Sequence, residues 1–413
     1  MTAFALLFLA ALAATTLLKL ALAWRHARYV AAHRDRVPDA FATDIPLDAH
    51  QKAADYTVAR THFAMLLVLV NVLLVLWLTY GGLLQTYADY TSGLDRPLVR
   101  GLALLGLVGL TLTLVELPFD AWRTFVLEAR FGFNRTTPKV FGIDAAKQLV
   151  LAIALGAPLA AVVLWLMEAA GQWWWLYTWG VWMAFNLLLL AVYPTWIAPL
   201  FNKFSPLTDE ALKARIADLL KRCGFEVAGF QVMDGSKRSS HGNAYFTGFG
   251  RTKRIVFFDT LIERLTPVEV EAVLAHELGH YRLHHVIKRI AWIFGSSLLF
   301  LWALGQLKDA DWFYAGLGVT TPSTAAALIL FFLVVPVFTF LFSPLAAAYS
   351  RKHEFEADQY AAQHANAGDL VSALVKLYKD NASTLTPDPL HSAFYDSHPP
   401  ASLRIARLRA AAA

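Results

Sequence analysis

Two things are scarce in this chain. Cysteine occurs once in 413 residues, at Cys223. That excludes an internal disulfide and any cysteine-based metal site, so a bound metal would need histidine and carboxylate ligands. Charge is scarce as well: Asp, Glu, Lys and Arg make up 16% of the residues, against 57% hydrophobic. An ordinary soluble protein is not this apolar. The net charge of +5 is small for the length and argues against a dedicated nucleic-acid binder. Basic residues flanking membrane spans explain it better.

Long apolar runs are abundant instead. Seven are long enough to cross a bilayer: about Ala3–Ala23, Phe63–Tyr80, Gly101–Leu117, Leu149–Met167, Trp175–Val192, Ile290–Leu307 and Ala325–Phe342. Trp24, Tyr80, Trp173-Trp174-Trp175 and Trp312 fall near span ends, as in an aromatic belt. Seven such runs exceed what one soluble core needs. The first run ends in Ala21-Leu22-Ala23, which resembles a signal-peptide cleavage site. No positive charge precedes the run, however, and Arg25, Arg28, Arg34 and Arg36 follow it. That asymmetry favours an uncleaved helix with its N-terminus outside.

The loops agree with this orientation. Segments 81–100, 168–174 and 308–324 would be external, and they hold only Arg96, Arg100 and Lys308. Nearly all remaining Lys and Arg lie in 24–62, 118–148, 193–289 and 343–413, the expected cytoplasmic side. The chain therefore divides into 1–192 with five spans, a cytoplasmic segment 193–289, the last two spans in 290–342, and a cytoplasmic end, 343–413. The Ala-, Leu- and Arg-rich composition suggests a bacterial source, hence an inner membrane.

His276-Glu277-Leu278-Gly279-His280 is the most informative short stretch. In a helix, residues four apart share a face, so two histidines can hold one Zn²⁺ while the glutamate stands beside it as a base. That chemistry hydrolyses peptide bonds. The helix has a clear start. Thr266-Pro267-Val268-Glu269 fits a capping box with proline at the first helical position. Little interrupts the pattern before Lys288, so the helix is expected to run straight into the sixth span.

Zinc needs a third protein ligand. The best candidate is Glu354, in His353-Glu354-Phe355-Glu356-Ala357-Asp358. Glu354 and Asp358 share a helix face and Glu356 points elsewhere; one carboxylate can ligate while the other supports a ligand. His353 is a rival ligand, and a solvated charged face fits the same pattern.

Between residues 205 and 260 a small antiparallel sheet is expected, with strands at Phe225–Met233, Ala244–Phe249 and Arg254–Phe258 and an amphipathic helix over Leu212–Cys223. An exposed sheet edge can take up an extended peptide by strand addition. Asn71, Glu116 and Asn186 lie within spans, where polar groups are costly, so they should face a hydrated interior or bond to a neighbouring helix. Read on their own residues, Asn243 is a turn residue and His398 a loop histidine. His241, His284, His285 and His391 have no spacing that demands a role.

Several motifs together resemble one family, the integral-membrane zinc endopeptidases typified by type I CAAX prenyl proteases. They are Leu117-Pro118-Phe119, Phe125-Val126-Leu127-Glu128, Phe131-Gly132-Phe133-Asn134, the run Ile197 to Phe204, Ser239 to Phe246, the two metal segments, and Ser397-His398-Pro399-Pro400 with Arg404. The resemblance covers roughly residues 50 to 405; the family pattern often has Ser where Gly242 stands. It implies a mostly α polytopic fold, seven transmembrane helices forming a barrel around a hydrated chamber, capped by a cytoplasmic zinc-protease domain. It implies one Zn²⁺ per chain held by His276, His280 and Glu354, with Glu277 as general base. Asn243 would hold the substrate backbone and His398 would stabilise the oxyanion; Asp358 and Arg404 would support the ligands. The implied partners are peptide or protein substrates, possibly lipidated, and membrane lipids. Two rival functions remain: a quality-control protease for membrane proteins, and a non-catalytic transporter or receptor with a vestigial metal site. The intact Glu277 and both metal segments count against the second.

Overall fold

The computed structural model describes residues 2–247 and 253–412. The seven apolar runs form the spans. They lie in α1 (Ala3–Ala32), α2 (Leu47–Leu78), α3 (Pro97–Glu128), α4 (Pro138–Ala169), α5 (Gly171–Phe201), α8 (His285–Leu307) and the seventh span, which begins with α9 (Thr324–Thr339). Between α5 and α8 come α6 (Glu210–Arg222) and α7 (Pro267–Arg282). After α9 come α10 (Ser343–His364), α11 (Ala367–Asp380), α12 (Pro389–Tyr395) and α13 (Ala401–Ala412). A helix of 32 residues is about 48 Å long, against a hydrocarbon core of about 30 Å. The long spans therefore project well beyond the membrane.

The distribution of buried residues shows a hollow body. In α4 the buried residues are Leu164, Leu166 and Met167, near one end. In α8 they are His285 and Leu304, at the two ends. The long middle stretches of these helices bury nothing. A helix packed in a solid bundle buries a stripe along its length; these are open on both faces, one for lipid and one for an interior space. At one end the barrel is closed by α9, where Ala325 to Phe331 are all buried against residues such as Leu104, Leu164 and Leu304. At the other end a separate core unites α6, α7 and α11 with the sheet.

That sheet has four strands: β1 (Phe204–Pro206), β2 (Gly229–Met233), β3 (Ala244–Thr247) and β4 (Arg254–Phe258), in the order β1-β2-β4-β3. It is mixed, which corrects the expected antiparallel sheet: β1–β2 and β3–β4 are antiparallel, but β2 and β4 are parallel. The reason lies in the side chains of β4. Ile255, Val256 and Phe257 are each 0–1% exposed, and such a continuous apolar run belongs in the middle of a sheet. β4 therefore takes the slot beside β2 and pushes β3 out to the edge. Strand β2 is shorter than expected, and residues 248–249 of the expected Ala244–Phe249 strand lie outside the described residues.

The loop after α3 fastens the sheet to the barrel. Tyr56 on α2 donates to both carboxylate oxygens of Glu128 at 2.8 Å. Arg135 N–H donates to the Arg238 carbonyl at 3.0 Å. The Arg238 guanidinium reaches Asp144 on α4 at 2.8 Å and the Asn202 side chain at 2.9 Å.

Candidate metal centre

Helix α7 starts as its sequence requires. The Thr266 N–H donates to Glu269 Oε2 at 2.7 Å, completing the capping box. Glu269 is itself fixed by Ser372 and Lys376 of α11 at 2.6 and 2.7 Å. The helix does not run into the sixth span. It ends at Arg282, and His284 adopts a left-handed backbone with φ of 59° before α8 begins at His285. A non-glycine residue there costs about 1–2 kcal/mol, though histidine is among the residue types that tolerate it. The break lets the chain leave the protease part at a new angle and enter the membrane.

Gly279 sets the distance between α7 and α10. A Cβ at this position would lie 3.0 Å from both Ala357 Cα and Tyr360 Cβ. The glycine inside the H-E-x-x-H sequence thus lets α10 come close enough for Glu354 to reach the histidines.

Three ligand-type groups converge. His276 Nε2 and His280 Nε2 are 3.2 Å apart. Glu354 Oε1 lies 3.3 Å from His280 Nε2, and Glu354 Oε2 lies 3.6 Å from His276 Nε2. Ligands about 2.0–2.1 Å from a tetrahedral ion are about 3.3–3.4 Å from one another, so the separations fit a metal of zinc size. Glu354 Oε2 is buried without a hydrogen-bond partner among the described residues, a condition that calls for a missing partner such as an ion. His, His and carboxylate is also a suitable donor set for such an ion. His353, the rival ligand, is elsewhere: its ring stacks on His285 with centroids 4.0 Å apart.

The surrounding charges are ordered. His276 Nδ1 lies 2.9 Å from Asp358 Oδ1. Arg404 grips Asp358 with two prongs, Nε to Oδ2 at 2.8 Å and Nη2 to Oδ1 at 2.6 Å. Burial by itself lowers the His276 pKa, but the Asp358 and Glu354 carboxylates beside the ring win and raise it to about 9. Burial would raise the Glu354 carboxyl, yet His276 and His280 beside it hold it well below the usual carboxylate range. Such a field of negative charge around two imidazoles attracts a proton or a cation.

The remaining expected residues lie around this cluster. Glu277 is half-buried and makes no hydrogen bond or ion pair with another described side chain. His398 Nε2 is 3.5 Å from Glu354 Oε1, with 63% of its side chain exposed. It borders a cavity of about 570 Å³ whose walls include Lys19, Arg60, Tyr378 and Pro399. Asn243 ends the turn into β3: its side-chain oxygen accepts from the Ala244 N–H at 2.8 Å and its carbonyl accepts from the Phe258 N–H at 2.9 Å. Strand β3 packs beside α7, and among the described residues its outer edge is unpaired in the sheet.

His285 is the residue that sequence reasoning passed over. It is buried, and its Nδ1 lies 3.0 Å from His280 Nδ1. A spacing of five residues from His280 is not a helical neighbour spacing, so only the break at His284 makes the contact possible.

Seven spanning helices around an open interior, with this cluster at one end, define an integral-membrane metalloprotease. Residues 26–203 match the family described as CAAX prenyl protease N-terminal, five membrane helices, and residues 206–412 match Peptidase family M48. The CAAX prenyl protease 1 homolog of Arabidopsis thaliana is 34% identical over 385 residues, covering 91% of this chain and 90% of that protein. CAAX prenyl protease 1 of Saccharomyces cerevisiae is 30% identical over 408 residues, covering 92% and 90%. The crystal structure of S. mikatae Ste24p matches with a TM-score of 0.92 at 29% identity, covering 99% of both chains. The chain belongs to peptidase family M48 and is a CAAX prenyl protease 1-like metallopeptidase.

Proposed function

We propose that this protein is a zinc-dependent endopeptidase that cleaves near the C-termini of lipidated or membrane-associated peptides reaching its chamber. The observation that carries the reading is the convergence of His276 Nε2, His280 Nε2 and a buried Glu354 oxygen that no hydrogen bond satisfies among the described residues, at the chamber end of the fold. In this reading the ion is held by His276, His280 and Glu354, one per chain. The peptidase part comprises 193–289 and 343–413, and faces the cytoplasm by the distribution of Lys and Arg, in a bacterial inner membrane by composition.

A bound zinc ion supplies Lewis acidity, lowering the pKa of water towards about 7 and polarising a carbonyl. The chain supplies the rest. The peptide adds to the unpaired edge of β3, and Asn243 at the start of that edge holds its backbone. The Glu277 carboxylate takes a proton from the attacking water as its oxygen bonds to the carbonyl carbon. His398 donates to the carbonyl oxygen as it gains negative charge. Glu277 then passes the proton to the amide nitrogen as the C–N bond breaks. Asp358 keeps the His276 hydrogen on Nδ1, which leaves Nε2 free to ligate, and Arg404 keeps Asp358 charged.

Recognition through backbone at a strand edge leaves side-chain selectivity modest, which also suits a quality-control protease. Zinc content and cleavage measured on the same preparation test the reading. Glu277→Gln is expected to keep zinc and lose at least about 10³-fold in turnover; an active Glu277→Gln enzyme would sink it. Comparing a prenylated peptide with its unprenylated copy separates C-terminal processing from general clipping.

A further inference from the structure

The two histidines of the H-E-x-x-H helix are supported differently. His280 Nδ1 meets not a carboxylate but the Nδ1 of His285, at 3.0 Å. His285 Nε2 lies 2.9 Å from Glu356 Oε2. The His285 side chain is 3% exposed and that of Glu356 35%. Lys352 Nζ is 3.8 Å from the other Glu356 oxygen. The His353 ring lies against the His285 ring with only 10° between their planes, and Tyr349 packs edge-on against His353 at 4.3 Å.

His285, His353 and Glu356 stand close enough together to invite a second metal. The ring geometry opposes it. An imidazole nitrogen offers its lone pair in the ring plane. Two stacked, nearly parallel planes have no common point about 2.0–2.1 Å from both nitrogens. His353 is instead a wall that fixes the His285 ring.

We propose that His285 positions His280 as a metal ligand through the hydrogen-bond chain Glu356–His285–His280. This rests on the metal-centre reading above. His280 turns Nε2 towards His276 and Glu354, so Nε2 is the ligand atom and Nδ1 keeps its hydrogen. That N–H can only donate. His285 Nδ1 must accept it, which puts the His285 hydrogen on Nε2, where it donates to Glu356. One tautomer at each ring satisfies every contact. The left-handed residue at His284 is what makes the chain of bonds possible. Had α7 continued, residue 285 would stand about 140° around the axis from residue 280 and out of reach. Strained backbone of this kind persists where the surrounding structure needs the geometry it creates.

The test strips the full-length protein of metal and reloads it with Zn²⁺ or Co²⁺. It measures metal affinity, the visible Co²⁺ spectrum and the melting of the metal-free form. His285→Leu is expected to weaken zinc by about 10- to 100-fold and to shift the cobalt bands, with metal-free melting unchanged. His285→Gln can accept from His280 through its amide oxygen and donate to Glu356 through its NH₂; it is expected to bind zinc within about threefold of the unaltered protein. Glu356→Gln is expected to lose about three- to tenfold. Unchanged affinity and spectrum in His285→Leu overturn the proposal. So does a His285→Gln protein as weak as His285→Leu, since that assigns the residue to packing. If His285→Leu also melts early, Glu356→Gln at its half-exposed position decides, and unchanged affinity there overturns the relay. An unaltered protein that takes up neither metal overturns the metal-centre reading instead.

Discussion

His276 and His280 stand one turn apart on α7 and face the same point, yet they are braced by unlike means. Behind His276 lies charge: Asp358 faces its Nδ1, and Arg404 clasps Asp358, with each of these side chains less than 10% exposed. Behind His280 lies an imidazole, and behind that a glutamate that solvent reaches. A buried ion pair is rigid but brittle, because loss of either partner strands a charge away from water. A chain of hydrogen bonds that ends at the surface strands nothing, and its loss costs orientation alone. The first arm should therefore be felt in folding and the second mainly in metal binding.

Four changes would break or sharpen that contrast. The largest effect is expected from Glu354→Ala, which removes the group on which both arms converge. Elemental analysis of the purified protein should find it essentially without metal, at least about 100-fold weaker in affinity, while Glu356→Ala keeps close to full stoichiometry. A loaded Glu354→Ala and an empty Glu356→Ala would exchange the roles of the two carboxylates.

Next comes Arg404→Met, expected to cost about 3–5 kcal/mol in denaturant unfolding by leaving Asp358 buried and unpaired. Adding Asp358→Leu to it should restore much of that stability but not the metal affinity, because His276 then has no acceptor. If the double change is as unstable as the single one, the brittleness of this arm is not electrostatic. Gly279→Ala acts on both arms at once. Its Cβ would press on the Ala357 backbone, so a loss of about 1–3 kcal/mol is expected, with weaker zinc binding measured by competition with a chelator. The smallest effect belongs to His284→Gly. The side chain is exposed and the backbone left-handed, so glycine should relieve strain and raise stability by up to about 1 kcal/mol, with unchanged metal affinity. A lower melting temperature would show that the histidine side chain holds the break in place.

Legibility tracked the range of the interaction. The seven spans were readable because lipid demands a continuous apolar run wherever a helix crosses it. The capping box and the pairing of His276 with His280 were readable because helix geometry joins residues three and four apart. Glu354 needed more: its helix follows a different span, and the reason it was reachable was its own i, i+4 pattern with Asp358. The break after Arg282 was not readable, because local periodicity favoured continuation and only the packing of α7 and α8 into different layers opposed it. The parallel pairing of β2 with β4 was hidden likewise. Local pattern identifies a strand but not its neighbour, although the unbroken apolar run of β4 was a sign that it belonged inside.

By itself the sequence determined that this is a seven-span membrane protein, that any metal is held by histidine and carboxylate, and that two of those histidines share a face. Each of these follows from solvent demands or from the spacing of neighbours along one helix. Only the tertiary structure decided how each histidine is braced, why a glycine stands between them, and that a third imidazole five residues on folds back against His280. Those contacts join residues 46 to 82 positions apart, or depend on one left-handed residue. A distance of that kind is set by how helices pack, which no local pattern records.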